Sequence, residues 1–142
     1  MAERTEATST TGSGGLSLVV TSHERKLLET RCDEVNLPGR EGDLGVLPGH
    51  AALIATLRPG ILTYRAGGRV AKVVLSTGFC QVYADRVAVL ADRAWLPEDV
   101  DAKGARGRAA ELERALERAE PDELESLQDQ LAEAQAQLAV AS

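Results

Sequence analysis

From Leu16 to Val20 the apolar residues Leu16, Leu18 and Val20 alternate with Ser17 and Val19, the period-two pattern of a strand with one buried face. A polar turn, Ser22 to Arg25, separates it from Lys26–Thr30 and Cys32–Leu37, two more short strand-like runs, the second ended by Pro38-Gly39. Arg40 to Gly49 is rich in glycine and closes on Pro48-Gly49. Ala51 to Leu57 resumes the apolar pattern until Pro59-Gly60 breaks it. Ile61–Arg65 and Val70–Ser76 flank Ala66-Gly67-Gly68-Arg69, a hairpin signal because glycine accepts positive φ without steric cost. Phe79–Tyr83 and Arg86–Leu90 flank the tight turn Ala84-Asp85. Closely spaced short strands with no helical pattern between them predict an antiparallel sandwich or barrel over residues 16–95 and disfavour a parallel sheet.

Beyond Pro97 the period becomes helical. Ala105, Ala109, Leu112, Leu116 and Ala119 share one face of a first helix, and Leu124, Leu127, Leu131, Ala134 and Leu138 share one face of a second. Pro121-Asp122 separates them, and Asp122 followed by Glu125 fits a capping box. Each helix shows a narrow apolar seam, so the two are expected to pack antiparallel, seam to seam, as a hairpin over residues 96–142. Gly104 and Gly107 in the first turns each cost ~1 kcal/mol relative to Ala and predict a soft, hinged or frayed start. Residues 1–15, rich in Thr, Ser and Gly, have no apolar periodicity and are expected to be disordered.

Charge divides the chain the same way. Residues 1–95 carry 11 basic and 10 acidic groups, whereas residues 96–142 carry 5 basic and 12 acidic. The second helical segment, 122–142, has no Lys or Arg against Asp122, Glu123, Glu125, Asp129 and Glu133. A net charge of −6 and 3% aromatic residues argue against nucleic-acid binding, which needs cationic surface and stacking platforms. No apolar run approaches the ~18 residues of a membrane span, so membrane contact is expected to be indirect. The N-terminus has no apolar core of a secretory signal, and Glu3 and Glu6 are unlike an acid-poor mitochondrial presequence.

Candidate chemistry is sparse. The two histidines, His23 and His50, and the two cysteines, Cys32 and Cys80, are scattered singly, without metal-ligand spacing or a nucleophile elbow. Cys32 and Cys80 lie in apolar strand-like stretches, the setting of buried reduced thiols, with a disulfide as the alternative. A hydrolase would have to use His50 with an acid such as Asp43. The loop Gly39-Arg40-Glu41-Gly42-Asp43-Leu44-Gly45 lacks the Lys-Ser/Thr of a phosphate-binding loop, holds two acids and leads into Val46-Leu47-Pro48 rather than a helix; it reads as a protein-contact surface. Catalytic, metal and cofactor sites are therefore expected to be absent.

Taken together, Glu34-Val35-Asn36-Leu37-Pro38-Gly39, then Glu41 through Ala51 with its Gly-Asp-Leu-Gly and Pro-Gly-His segments, then Leu57-Arg58-Pro59-Gly60, resemble the epsilon subunit of the rotary F-type ATP synthase. Ser76-Thr77-Gly78-Phe79-Cys80-Gln81-Val82 and Val87-Ala88-Val89-Leu90-Ala91-Asp92 extend the likeness, which runs from about Leu16 into the helices. The resemblance implies a ten-stranded β-sandwich with a C-terminal helical hairpin, in a noncatalytic central-stalk subunit that binds the gamma subunit and the c-ring and couples proton flow to ATP synthesis. It implies contact residues at Glu41, Gly42, Asp43 and Leu44, facing the c-ring, and at His50. The implied site is the cytoplasmic face of a bacterial plasma membrane. The alternative is a stand-alone sandwich adaptor for one soluble partner.

Family members can extend the hairpin toward the alpha and beta catalytic subunits and slow ATP hydrolysis, and some bind ATP through an I/L-D-x-x-R-A motif. Here Val100-Asp101-Ala102-Lys103-Gly104-Ala105 keeps the Asp and the last Ala but has Gly104 in place of Arg. Lys103 or Arg106 would project at other angles. With Asp101, Lys103 and Arg106 as a degenerate motif and no cation on the second helix, ATP binding is expected to be weak or absent. The same acidity predicts repulsion from acidic partners, so the hairpin is expected to stay folded or to act only through Arg106, Arg108, Arg114 and Arg118.

Overall fold

The computed structural model describes residues 14–141, so residues 1–13 of the tail expected to be disordered lie outside the described residues. Ten strands form two five-stranded sheets. The first sheet has the order β2 (Lys26–Cys32), β1 (Leu16–Ser22), β9 (Arg86–Ala91), β8 (Gly78–Tyr83), β5 (Leu53–Leu57). The second has the order β10 (Ala94–Trp95), β7 (Arg69–Leu75), β6 (Gly60–Ala66), β3 (Glu34–Leu37), β4 (Leu44–Val46). After a short 3-10 turn at Pro97–Asp99 come helices α1 (Ala102–Leu116) and α2 (Leu124–Ala141).

Between the sheets lies an almost wholly aliphatic core. Leu16, Leu18 and Val20 of β1 meet Leu62 of β6 and Val73 and Leu75 of β7 in one buried cluster. Each fully buried Leu or Val contributes ~1.5–3 kcal/mol relative to exposure. The glycine pair between β6 and β7 takes positive φ, +60° at Gly67 and +81° at Gly68, as the predicted hairpin requires. At the next hairpin Ala84 and Asp85 themselves adopt positive φ between β8 and β9.

Two strands escape the hydrophobic pattern. β4 has three residues inside the Gly-rich segment, and β10 has two, too few to show a period. The expectation against parallel pairing holds for every strand pair but one: β1 pairs with β9 in parallel, Leu18 opposite Val87 and Val20 opposite Val89. A parallel neighbour needs a long connection. Here the connection is nearly the whole sandwich.

The hairpin lies folded on the outer face of the second sheet. α2 packs on β6 and β7 and also on α1. Val74 of β7 is fully buried yet stands outside the cluster between the sheets; its register partners Ile61 and Trp95 share its outward face. α2 is therefore an intermediate layer, and the single seam expected of it is only half of its packing. The predicted capping box is displaced as well. Glu123 Oε1 accepts the Glu120 N–H at 2.9 Å, two residues ahead of the Asp122/Glu125 pair, because Pro121 starts a 3-10 turn there.

The soft start of α1 is firmer than its glycines suggest. Asp101 caps the helix, its carboxylate accepting the Gly104 N–H at 3.1 Å. A Cβ on Gly104 would come within 2.5 Å of that carboxylate, whereas one on Gly107 would meet nothing within 4 Å. Gly107→Ala is thus expected to stabilise the hairpin by about 1 kcal/mol, and Gly104→Ala by clearly less, because the cap must shift. Urea unfolding of the two variants followed by helical circular dichroism checks the order.

Candidate functional site

The Gly-rich acidic loop expected to make contacts is the tip of the β3–β4 hairpin. Leu37 opposite Leu44 closes its base, and Gly39 bridges to Leu57 of β5 across to the other sheet. The Arg40 N–H donates to the Thr56 carbonyl at 2.9 Å and the Arg58 N–H to the Pro38 carbonyl at 2.9 Å, so the tip is tied down at both flanks. Glu41, Gly42 and Asp43 are exposed and Leu44 is half-buried; Asp43 pairs with Arg58. A cavity of about 530 Å³ opens between this loop and Ile54, Ala55 and Thr56.

His50 does not join that group. Its N–H donates to the Leu47 carbonyl at 3.1 Å, its Nδ1 lies 2.7 Å from the Ala51 carbonyl, and the neighbouring Gly49 N–H donates to Asp85 in the β8–β9 turn. The loop sits at the Leu57 end of β5, whereas His50 lies beyond the Leu53 end, about 13 Å of strand away at ~3.3 Å per residue. A His50–Asp43 pair of the kind a hydrolase would use is not assembled, and Asp43 is already engaged by Arg58. Cys32 and Cys80 are free, fully buried thiols, which corrects the disulfide alternative. Burial pushes the Cys32 thiol up to about 11, and that of Cys80 upward too.

Asp101, Lys103 and Arg106 also diverge. Asp101 is engaged as the helix cap, and Lys103 and Arg106 are exposed on α1. The cation turned toward α2 is Arg108, which donates to Gln137 Oε1 at 2.8 Å. Gln137 is 2% exposed, so this bond satisfies an amide deep in the hairpin.

The sequence reading missed the polar side of α2. Arg40, in the contact loop, makes a two-pronged ion pair with Asp129 at 2.9 and 3.2 Å, spanning 89 positions of sequence. Arg93, between β9 and β10, reaches Glu133 at 3.0 Å while its guanidinium lies 5.8 Å from the Trp95 ring. Its hydrogen bond to Asp129 holds the Arg40 guanidinium above its ordinary pKa. Glu133 behaves oppositely: burial pushes its carboxyl up, outweighing Arg93 and Arg108. The only trace in the sequence is that Asp129, Glu133 and Ala136 recur at helical spacing opposite the leucine seam.

A second missed feature is the open face of the first sheet. Ile54, Phe79 and Leu90 are exposed at 71%, 44% and 43%, with Phe79 directly opposite Leu90 and Ile54 diagonal to Phe79. The near-continuous apolar run Val87 to Ala91 is the signal that both faces of β9 are meant to be covered.

A family model described as the ATP synthase delta/epsilon chain β-sandwich domain matches residues 15–97. An ATP synthase epsilon chain from Bradyrhizobium is 38% identical over 122 residues, covering 78% of this chain and 89% of its own length. The chain belongs to the epsilon-chain family of ATP synthase. Another epsilon chain, from Solibacter usitatus, is 43% identical over 100 residues, 70% of this chain and 72% of the relative. The fold is shared with a chain of the Euglena gracilis mitochondrial ATP synthase, seen with its F1 and c-ring, at a TM-score of 0.76 and 21% identity over 94% of this chain and 85% of that one. A member of this family is a noncatalytic subunit of the synthase, which displaces the stand-alone adaptor reading.

The upward shift of Glu133 has a consequence for pH. The charged groups that line the same two cavities as Glu133 are Asp92 and Arg93 on the sandwich, Asp99, Asp101 and Arg108 at or before α1, and Glu125 and Asp129 on α2 itself. A carboxyl that holds its proton more tightly when docked than in water favours docking most below the ordinary carboxylate range, and loses that contribution as pH rises through the raised pKa. Docking is expected to strengthen as pH falls through the raised Glu133 pKa toward the ordinary carboxylate range, and Glu133→Gln to abolish the dependence. Amide hydrogen exchange along α2, corrected for the intrinsic pH effect, measures it.

Proposed function

We propose that this chain is a rotor subunit of the central stalk, linking the gamma subunit to the c-ring and so coupling proton flow to ATP synthesis at the cytoplasmic face of a bacterial plasma membrane. On this reading the sandwich, residues 16–95, is the anchoring unit, and the hairpin, residues 96–142, meets the alpha and beta subunits only when it leaves the sandwich. No helix among the described residues is long and apolar enough to cross a membrane, so contact with the bilayer would run through the ring.

The observation that carries the reading is the contrast between the two outer faces. The second sheet is covered by the chain's own α2, while the first presents Ile54, Phe79 and Leu90 to solvent, with Val19 and Ala88 beside them. A sheet face that exposes apolar side chains around Gln81 in this way suits a stable subunit interface, and we assign it to gamma. The exposed Glu41–Leu44 tip, held at its base and carrying two acids, suits the polar loops of the c-ring; His50, at the other end of β5, would belong to a separate contact.

Two measurements test this. Phe79→Asp, which places a charge in the apolar patch, is expected to abolish co-purification with gamma while changing the thermal midpoint of the isolated chain little. A cysteine introduced by Asp43→Cys is expected to crosslink to the c-ring loop in the assembled synthase. The native thiols need not be removed, because both are buried and hard to ionise. Retention of gamma by Phe79→Asp, or crosslinking to gamma and not to the ring, would contradict the assignment of surfaces.

A further inference from the structure

We propose that the acidic second helix is a latch, in which the ion pair between Arg40 and Asp129 holds the hairpin docked on the sandwich. The inference concerns the chain by itself and does not rest on the assignment of the gamma and c-ring surfaces.

The docked side of α2 offers little apolar bulk. The buried residues of α2 as a whole are Ala134, on the seam toward α1, Gln137, bonded to Arg108 of α1, and Ala136, which shares the Asp129/Glu133 face, and the sheet beneath contributes Val74, Ile61 and Trp95, the last two only half-buried. An interface of small side chains gains little from burial, so its polar contacts decide the balance. Two ion pairs cross it, and they differ in kind. Arg93–Glu133 is lopsided: the Glu133 side chain is 12% exposed and the Arg93 side chain 64%, so the carboxylate loses its water while its partner keeps much of its own. Such a pair returns little beyond the cost of desolvation. Arg40–Asp129 is more even, its side chains 35% and 26% exposed, and each terminal guanidinium nitrogen donates to its own carboxylate oxygen, the geometry in which a charge pair contributes most. The main chain of Arg40 is already fixed by its bond to Thr56, which lowers the entropy lost in forming the pair. The acidity of α2, unhelpful for gripping an acidic partner, is thus explained by what the helix rests on.

A docked hairpin shields Val74, so the labelling rate of a thiol placed there by Val74→Cys reports the undocked fraction in the full-length chain. Cys32 and Cys80 lie between the sheets and label only if the sandwich opens, giving an internal control. If Val74→Cys disturbs the fold, Ala136→Cys serves instead. Arg40→Ala and Asp129→Ala are each expected to speed labelling roughly fivefold, and the double variant no more than either alone. The exchanged pair, Arg40→Asp with Asp129→Arg, is expected to recover most of the loss. Raising salt from about 0.01 M to 1 M shortens the screening length from roughly 30 Å to 3 Å, and should speed labelling in the otherwise native chain but not with Asp129→Ala. Additive single effects, unchanged labelling in both single variants, or a salt-insensitive native pair would overturn the latch.

Discussion

Leu16, Leu18 and Val20 on β1, Val87 and Val89 on β9, and Leu62, Val73 and Leu75 on the facing sheet fill one dry layer, and each of the chain's other features is mounted on the surfaces this layer holds apart. Its side chains are small and branched, with Tyr64 at the margin as its aromatic contribution. Two sheets are joined this way because inward positions alternate along most of each long strand, with a register shift between Val20 and Thr21 in the β1–β2 ladder. A slip of one residue turns a strand inside out. The polar tips, turns and loops can then vary freely around a rigid centre.

A sandwich of two sheets has two outer faces, and this chain treats them differently. One is closed from within by α2, through small residues, a buried glutamine bonded to Arg108, and ion pairs to Arg40 and Arg93. The other is left open with exposed aliphatic and aromatic side chains. The division matches the charge division of the sequence. The helical segment is acidic because part of its charge is turned inward against basic residues of the sandwich, and the remaining acids, such as Asp122, Glu123 and Glu125, lie exposed.

Most of the sandwich was legible in the sequence because strand alternation and paired turn residues are local signals. Gly67-Gly68 and Ala84-Asp85 mark their hairpins within a few residues. The two shortest strands were not legible, because two or three residues carry no period, and the parallel β1–β9 pairing was not, because it joins segments some seventy residues apart. The Gly-rich loop was legible as an exposed turn, but its separation from His50 was not, since the five residues between Leu44 and His50 do not say where the chain reverses. The largest misreading concerned α2. Seen as a sequence, its acids are a solvated face; seen in the fold, Asp129 and Glu133 are interface residues. That change depends wholly on Arg40 and Arg93, which nothing local connects to the helix.

The pairing of the first long strand with the ninth also orders events in time. Strands β6, β7, β8 and β9 can each find a neighbour across a short turn, but β1 can be flanked on both sides only after Ala91 has been made. Closing a loop of that length is slow compared with forming a hairpin, so the seam between the beginning and the end of the sandwich is expected to close after the hairpins form. On a ribosome the hairpin emerges after the sandwich, and it meets β6 and β7 once that seam has closed or is closing. The helices therefore arrive at a finished surface, and their docking is an addition to the sandwich rather than a condition of its assembly.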